Sequence, residues 1–356
     1  MLRTSGTLAA LRDSHVKSPF RDSRNPPASA ALGFSIIILV VAAAQLPAQD
    51  DPCLNRAVLV NVSTEDGQLV KGLTTANFQA KMQGRRGESV EITSVNYQAG
   101  FHRIVVLLDT SGSMRGASEH DPRWSIAMMA LRSFLASAGP QSSIAFYTFN
   151  DRVKVAVTFA ESRKSLPAEI LKLENGYRLL GKTAVFDAIL MAAGLFQPPL
   201  TGDAIFLVTD GADNKSRSSQ KEVYEALQRS GVRAFAFGLL EPIQVRGRTP
   251  EEAGGPDFLS KVVRDSGGDG FAFTEENLRL FSLLPDYRLT LEPGSRLFSA
   301  AMELLAKEMS EFYILHIKLP QRIDHARDWK LELLEGGPKT NLPLRIIYAH
   351  KLAACD

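Results

Sequence analysis

Residues 104–116, IVVLLDTSGSMRG, place five consecutive apolar side chains, Ile104 to Leu108, ahead of Asp109, Ser111 and Ser113 at alternate positions. A short, uniformly apolar run that stops at turn residues predicts a strand buried on both faces, the kind found in parallel sheets covered by helices. The oxygen-bearing side chains that follow allow two readings. Aspartate and serine make Asx and Ser turns and cap helices. They also ligate hard cations, and alternate spacing lets Ser111 and Ser113 point toward one ion while Thr110 and Gly112 make the turn.

Working outward from this stretch, apolar segments alternate with amphipathic ones: RWSIAMMALRSFLASAG, SSIAFYTFND, TAVFDAILMAAGLF, DAIFLVTDG, SQKEVYEALQRSG, VRAFAFGLL and DFLSKVVRDSGG. This order predicts an α/β fold with a doubly wound, mostly parallel sheet. Asp121 and Pro122 read as the N-cap and first residue of a helix whose buried face is Trp124, Ala127, Met128, Leu131, Phe134 and Leu135. Gly231 reads as a helix stop. Phe235, Phe237, Phe271 and Phe273 alternate as strand cores, EENLRLFSLL reads as helical, and SRLFSAAMELLAKEMS as a further helix.

Both ends of the chain are richer in strands. AVLVNVS, TEDGQLV, NFQAKMQG and SVEITSVNYQ precede the α/β part, and FYILHIKLP, WKLELLE and LRIIYA follow it. Neither set is long enough for a sturdy core of its own, yet together they offer about seven strands, which predicts an additional β-sandwich-like domain built from both ends. The expected organisation is residues 1–49 as a signal peptide or N-terminal anchor, 50–100 as a β-rich segment, 101–290 as the α/β domain, and 291–356 as a helix plus strands that pack with the N-terminal segment.

Composition narrows the function. The 356 residues are 45% hydrophobic and carry a formal charge of only +2, from 41 basic and 39 acidic residues. That is a globular protein with no bulk field for nucleic acid or an anionic membrane. Arg3, Arg12, Lys17, Arg21 and Arg24 precede the apolar run ALGFSIIILVVAAA, and small residues follow it. The run of about 14 residues falls short of the roughly 20 that span a bilayer. Export is therefore expected, to the cell envelope or beyond it, with membrane contact only through an uncleaved N-terminal anchor. The two cysteines, Cys53 and Cys355, either join as one disulfide in an oxidising compartment or stay as two separate thiols.

Ligands of open parallel sheets bind beyond the carboxyl ends of the strands. Three segments bring oxygen donors to that edge: Asp109, Ser111 and Ser113; Thr183 in GKTAVFDA; and Asp210 in FLVTDG. Two carboxylates balance a dication, and three hydroxyls complete a set that suits Mg2+, Mn2+ or Ca2+. Met114, Asn150, Lys182 and Gly211 are expected at the rim. Asp151 reads as a rim or turn residue, Asp187 as a supporting residue, and Asp213 as a helix cap. The triplets NVS and NKS are disregarded as glycosylation sites, and the six histidines show no metal-ligand spacing.

The pattern Asp109-x-Ser111-x-Ser113, a separate Thr183, and Asp210-Gly211 after an apolar strand resembles the metal-ion-dependent adhesion site of von Willebrand factor type A domains. The resemblance covers roughly Phe101 to Leu284. It implies a Rossmann-like fold, those five residues as metal ligands, and a protein partner whose Asp or Glu completes the metal sphere. The flanks VNVSTEDGQLVKGLTTANFQAKMQGRRGESVEITSV and EFYILHIKLP are similar to the secreted bacterial branch of that family. Two departures stand out: the bulky loop RGASEHDPRW after the serines, and Gly181-Lys182 where the family has a glycine pair. Lys182 adds a positive charge beside the expected cation.

The expectation is a non-catalytic, exported, divalent-metal-dependent protein-binding module. The alternatives are a Mg2+-dependent hydrolase and a structural envelope protein without metal-dependent binding. No Ser-His-Asp order, GxSxG turn, CxxC pair or phosphate-cradling glycine loop supports the first, and the intact oxygen set weighs against the second.

Overall fold

The run Ile104–Leu108 forms the middle of a strand that is buried from Ile104 to Asp109, as a run without polar interruptions demands. The structure is a computed structural model that describes residues 51–84, 87–100, 102–115, 122–175, 178–240, 254–274, 279–284, 297–334 and 343–355. The expected signal or anchor (residues 1–49), Asp121, His120 and most of the loop after Arg115 lie outside the described residues.

Strands β1 (Asn55–Thr64), β2 (Phe78–Met82) and β3 (Ser89–Ala99) come first. The α/β part follows with β4 (Arg103–Asp109), α1 (Arg123–Ser137), β5 (Ser143–Phe149), β6 (Val153–Val157), α2 (Ser162–Glu174), α3 (Val185–Gly194), β7 (Ala204–Thr209), α4 (Gln220–Ser230), β8 (Arg233–Leu240), α5 (Gly255–Ser266), β9 (Gly270–Thr274) and β10 (Arg279–Ser282). The chain ends with α6 (Leu297–Ser310), β11 (Glu311–Lys318), β12 (Arg327–Leu333), β13 (Leu344–Tyr348) and β14 (Lys351–Leu352).

One seven-stranded sheet has the order β10-β9-β8-β7-β4-β5-β6. Its five central strands pair in parallel, while β6 and β10 pair antiparallel at the two edges, which makes the sheet mixed. Alternation along β4 serves two cores. Ile104, Val106 and Leu108 join α1, α2 and α6 on one face, and Val105 and Leu107 join α3, α4 and α5 on the other. Each such buried aliphatic side chain contributes about 1.5–3 kcal/mol. Phe235, Phe237, Phe271 and Phe273 all lie on the first face, as their spacing requires.

Several element readings change. Arg279–Ser282, expected as helix, is strand β10: Leu280 packs on the core while Phe281 is exposed, an alternation of period two. Pro122 occupies the cap position of α1. Strand β6, helix α2 and strand β14 extend the pattern read from the sequence.

The strands from the two ends of the chain form the second sheet, of order β13-β1-β11-β3-β2-β12-β14, with every pairing antiparallel. It is a single sheet rather than the two facing sheets of a sandwich. Its outermost strands, β13 and β14, are separated in sequence only by Ala349 and His350, so the sheet rolls around its own core. Trp329, fully buried, seals the roll by donating its indole N–H to the Ala349 carbonyl at 2.6 Å. Cys53 and Cys355 form a disulfide with a Cα–Cα distance of 5.4 Å, joining the described ends of the chain. Among the described residues no helix is long and apolar enough to cross a membrane.

Candidate functional site

The order of the mixed sheet reverses between β4 and β7: the chain leaves β4 toward β5 and β6 on one side, then crosses to β7, β8 and β9 on the other. Loops at such a reversal diverge and leave a crevice at the carboxyl ends of the strands. Asp109 ends β4, and Asp210 directly follows β7, so both predicted aspartates stand at this crevice.

Asp109 is completely buried. Its Oδ1 accepts the Ser111 backbone N–H at 2.9 Å and its Oδ2 accepts the Thr209 hydroxyl at 2.7 Å. Each carboxylate oxygen retains a further lone pair for another partner. Ser111 and Ser113 face each other with 3.0 Å between their hydroxyl oxygens. The Ser113 carbonyl is held by the buried Arg123 guanidinium at 2.8 Å. Alternate spacing thus brings the two serine hydroxyls together across the turn.

Thr183 arrives on a loop held by several backbone hydrogen bonds. Leu180 and Ala184 are held by Asn150, through its side-chain amide at 3.1 Å and its carbonyl at 2.9 Å. The Gly181 carbonyl accepts the Gly112 N–H at 3.0 Å, and the Lys182 N–H donates to Asp151. Thr183 donates its N–H to Asn214 Oδ1 at 2.9 Å and accepts the Asn214 N–H at its carbonyl at 3.0 Å. Gly181 has φ +89°, and a Cβ there would fall 2.6 Å from Asp151 Oδ1. Lysine after this glycine is tolerated because its side chain projects into solvent.

The loop after β7 is organised by its own carboxylates. Asp210 Oδ1 accepts the Ala212 N–H at 3.1 Å. Asp213 does not cap α4; Ser219 does, with a capping box to Glu222. Asp213 instead gathers the Phe186, Lys215 and Ser216 N–H groups and the Ser216 hydroxyl, while Asp187 accepts from Arg217 and Ser218. Burial alone would raise Asp187, but these hydrogen bonds outweigh it and hold its carboxyl below the ordinary value.

Two expected rim residues lie elsewhere. Met114 is fully buried in the core with α1, because a 3-10 turn over Gly112–Arg115 rotates its side chain inward. Gly211 is buried with φ +81°, and a Cβ would sit 2.7 Å from the Gly255 carbonyl at the start of α5. It permits a close approach and offers no rim side chain. Asn150 and Lys182 do stand at the edge. Thr209 and Asn214, which bond to the candidate residues Asp109 and Thr183, are positions that sequence reading missed. Thr209 looked like the last residue of a strand, and Asn214 appeared only inside the NKS triplet.

The three loops are therefore joined pairwise: β4 to β7 through Thr209 and Asp109, the serine turn to the Thr183 loop through Gly112 and Gly181, and the Thr183 loop to the loop after β7 through Asn214. Burial and then the neighbouring Asp210 charge push the Asp109 carboxyl up to about 7, against the pull of its two hydrogen bonds. Two carboxylates that repel, with the Ser111 and Ser113 hydroxyls beside Asp109, are oxygen donors of the kind a hard dication takes. Among the described residues no cluster of three or more histidine, cysteine or carboxylate side chains offers a softer or more anionic alternative.

A family model described as the von Willebrand factor type A domain matches residues 104–212. No curated protein matches the sequence. Among solved structures the chain is similar to an aerotolerance-related membrane protein from Bacteroides fragilis, at 18% identity over 59% of this chain and 98% of that one, with a TM-score of 0.40. It is similar to a von Willebrand factor type A protein from Catenulispora acidiphila, at 13% identity over 83% of this chain and 74% of that one, with a TM-score of 0.39. It is also similar to proximal thread matrix protein 1 from the mussel byssus, solved with a zinc-occupied MIDAS motif, at 18% identity over 63% of this chain and 49% of that one, with a TM-score of 0.39.

Proposed function

From a chain that carries a von Willebrand factor type A domain at residues 104–212, we propose a divalent-metal-dependent protein-binding module in which Asp109, Ser111, Ser113, Thr183 and Asp210 hold one Mg2+, Mn2+ or Ca2+. The observation that carries this reading is the pairwise hydrogen bonding of the three loops that bear those residues. The bound ion supplies an electrophilic contact for a partner's Asp or Glu carboxylate. Everything else is positioning by this chain. Thr209 and the Ser111 amide orient Asp109, Arg123 fixes the serine turn, and Asn214 with Asn150 presents Thr183. Because the backbone of the Thr183 loop is already bonded, little ordering is left to oppose binding.

The module is read as non-catalytic and exported, with residues 1–49 as signal or anchor. The Cys53–Cys355 disulfide supports an oxidising compartment. Isothermal calorimetry with Mg2+ and Mn2+ on the wild type and Asp109→Ala tests the core of the proposal. The expected result is saturable binding in the wild type and none in the variant, with circular dichroism unchanged. Equal binding by both proteins would overturn it.

A further inference from the structure

Among the described residues, the exposed charged side chains on the loops at the crevice are basic apart from Asp151. Arg115 follows the serine turn, Arg152 sits in the turn between β5 and β6, Lys182 precedes Thr183, and Lys215 and Arg217 lie on the loop after β7. All five are exposed, and none has an ion-pair partner among the described residues. Among the described residues, the acidic groups on the same loops are engaged in hydrogen bonds. Asp213 is buried and bonded to backbone amides and Ser216, and Asp187 accepts from two amides of the same loop. Asp151, the exposed carboxylate among them, is tied to the Lys182 N–H. Leu180, 54% exposed, adds an apolar side chain three residues before Thr183, on a loop whose backbone is fixed by Asn150.

The formal charge of the whole chain is only +2, so this concentration of cations at one edge is local. A cleft rimmed by charge of one sign concentrates the field and selects partners of the opposite sign. A lone carboxylate reaching a metal would use none of these five side chains. We propose that the edge recognises an extended acidic segment of a protein partner. One carboxylate of the segment completes the metal sphere, its flanking carboxylates meet Arg152, Lys182, Lys215 and Arg217, and an apolar residue rests on Leu180. This rests on the metal-dependent binding proposed above, which it deepens by naming the kind of partner.

The test uses the exported chain and two fluorescein-labelled synthetic peptides of equal length. One carries a single Glu in a Gly-Ser background, and the other carries Glu residues on both sides of a Leu. Anisotropy is measured in magnesium chloride while sodium chloride rises from about 50 to about 300 mM, a range over which the screening length falls from about 14 to about 6 Å. The acidic peptide is expected to bind about tenfold more tightly at low salt, and to lose that advantage at high salt and in the triple variant Arg152→Gln/Lys215→Gln/Arg217→Gln. Equal affinity for the two peptides at every salt concentration overturns the proposal, as does failure of the acidic peptide to bind at all. If the acidic peptide keeps its advantage in EDTA and in Asp109→Ala, the basic rim stands and the metal reading falls. The three substituted side chains are exposed, so the triple variant keeps the fold, which circular dichroism verifies.

Discussion

Replacing Arg345 by methionine isolates the joint between the two sheets. Arg345 lies on β13 of the rolled sheet with a side chain 1% exposed, and it pairs with Asp269, just ahead of β9, and with Glu308 of α6 at 3.6 Å. Both acids are fully buried. Arg233, the first residue of β8, extends the joint by bonding Asn61 of β1 at 2.8 Å and the Glu308 and Met309 carbonyls at 3.1 and 3.2 Å. Removing one member of a buried pair strands the other and costs about 3–5 kcal/mol, a large part of the roughly 5–15 kcal/mol that holds a typical domain folded. Urea unfolding followed by tryptophan fluorescence reads the effect in each sheet, because Trp329 lies in the rolled sheet and Trp124 on α1 of the α/β part. With Trp124→Phe and Trp329→Phe as backgrounds, Arg345→Met is expected to lower the midpoint by roughly 1–2 M for both reporters together. A loss below about 1 kcal/mol, or a shift confined to Trp329, would refute the idea that this cluster couples the sheets.

Two further outcomes follow from the same geometry. Burial, and then the Asp269 charge, raise the Glu308 carboxyl well above its ordinary value of 4.5, outweighing the pull of Arg345. The folded state therefore holds that proton more tightly than the unfolded one, and the resulting stabilisation is complete below pH 4.5 and is lost as pH rises through the folded value. Glu308→Gln should remove this loss, so its stability relative to the wild type increases with pH in urea titrations; a decrease refutes the sign. Asn214→Ala should weaken Mg2+ binding about tenfold by releasing the Thr183 backbone, while Asn214→Asp, which keeps the acceptor for the Thr183 N–H, restores part of it. Calorimetry that gives identical affinities for wild type and Asn214→Ala would remove Asn214 from its positioning role.

How much of this was legible in the sequence depends on the range over which each residue acts. Strand β4 was legible because its five apolar residues face two cores at once, and the serines because their spacing acts within one turn. Strand β10 was read as helix because Leu280, Leu283 and Leu284 recur at helical intervals, although Leu280 and Phe281 in fact face opposite ways. Helix α2 was obscured by Pro167 inside it. Met114 was misplaced because a 3-10 turn, invisible in the pattern, rotates it inward. Thr209 and Asn214 act on partners 100 and 31 residues away, and nothing local to either position signals that. A count of seven strands likewise leaves open whether they form two sheets or one. The two-residue link between β13 and β14, sealed by Trp329, decides for a single rolled sheet.

Charge at the two ends of the parallel strands ties the joint to the site. Arg233 opens β8 and Asp269 precedes β9, so the ionic cluster lies at the amino-terminal edge, and Asp109 and Asp210 stand at the carboxyl-terminal edge of β4 and β7. At the first edge two arginines answer two acids, and the rolled sheet closes over them with its own Arg345 and Asn61. At the second edge the buried Asp109 is pushed up to about 7 by its surroundings and by Asp210, and the neighbouring side chains are hydroxyls. Buried charge is stable only when it is answered. The first edge is answered from within the chain, and at the second edge the proposed ion would add to the two hydrogen bonds that Asp109 already accepts.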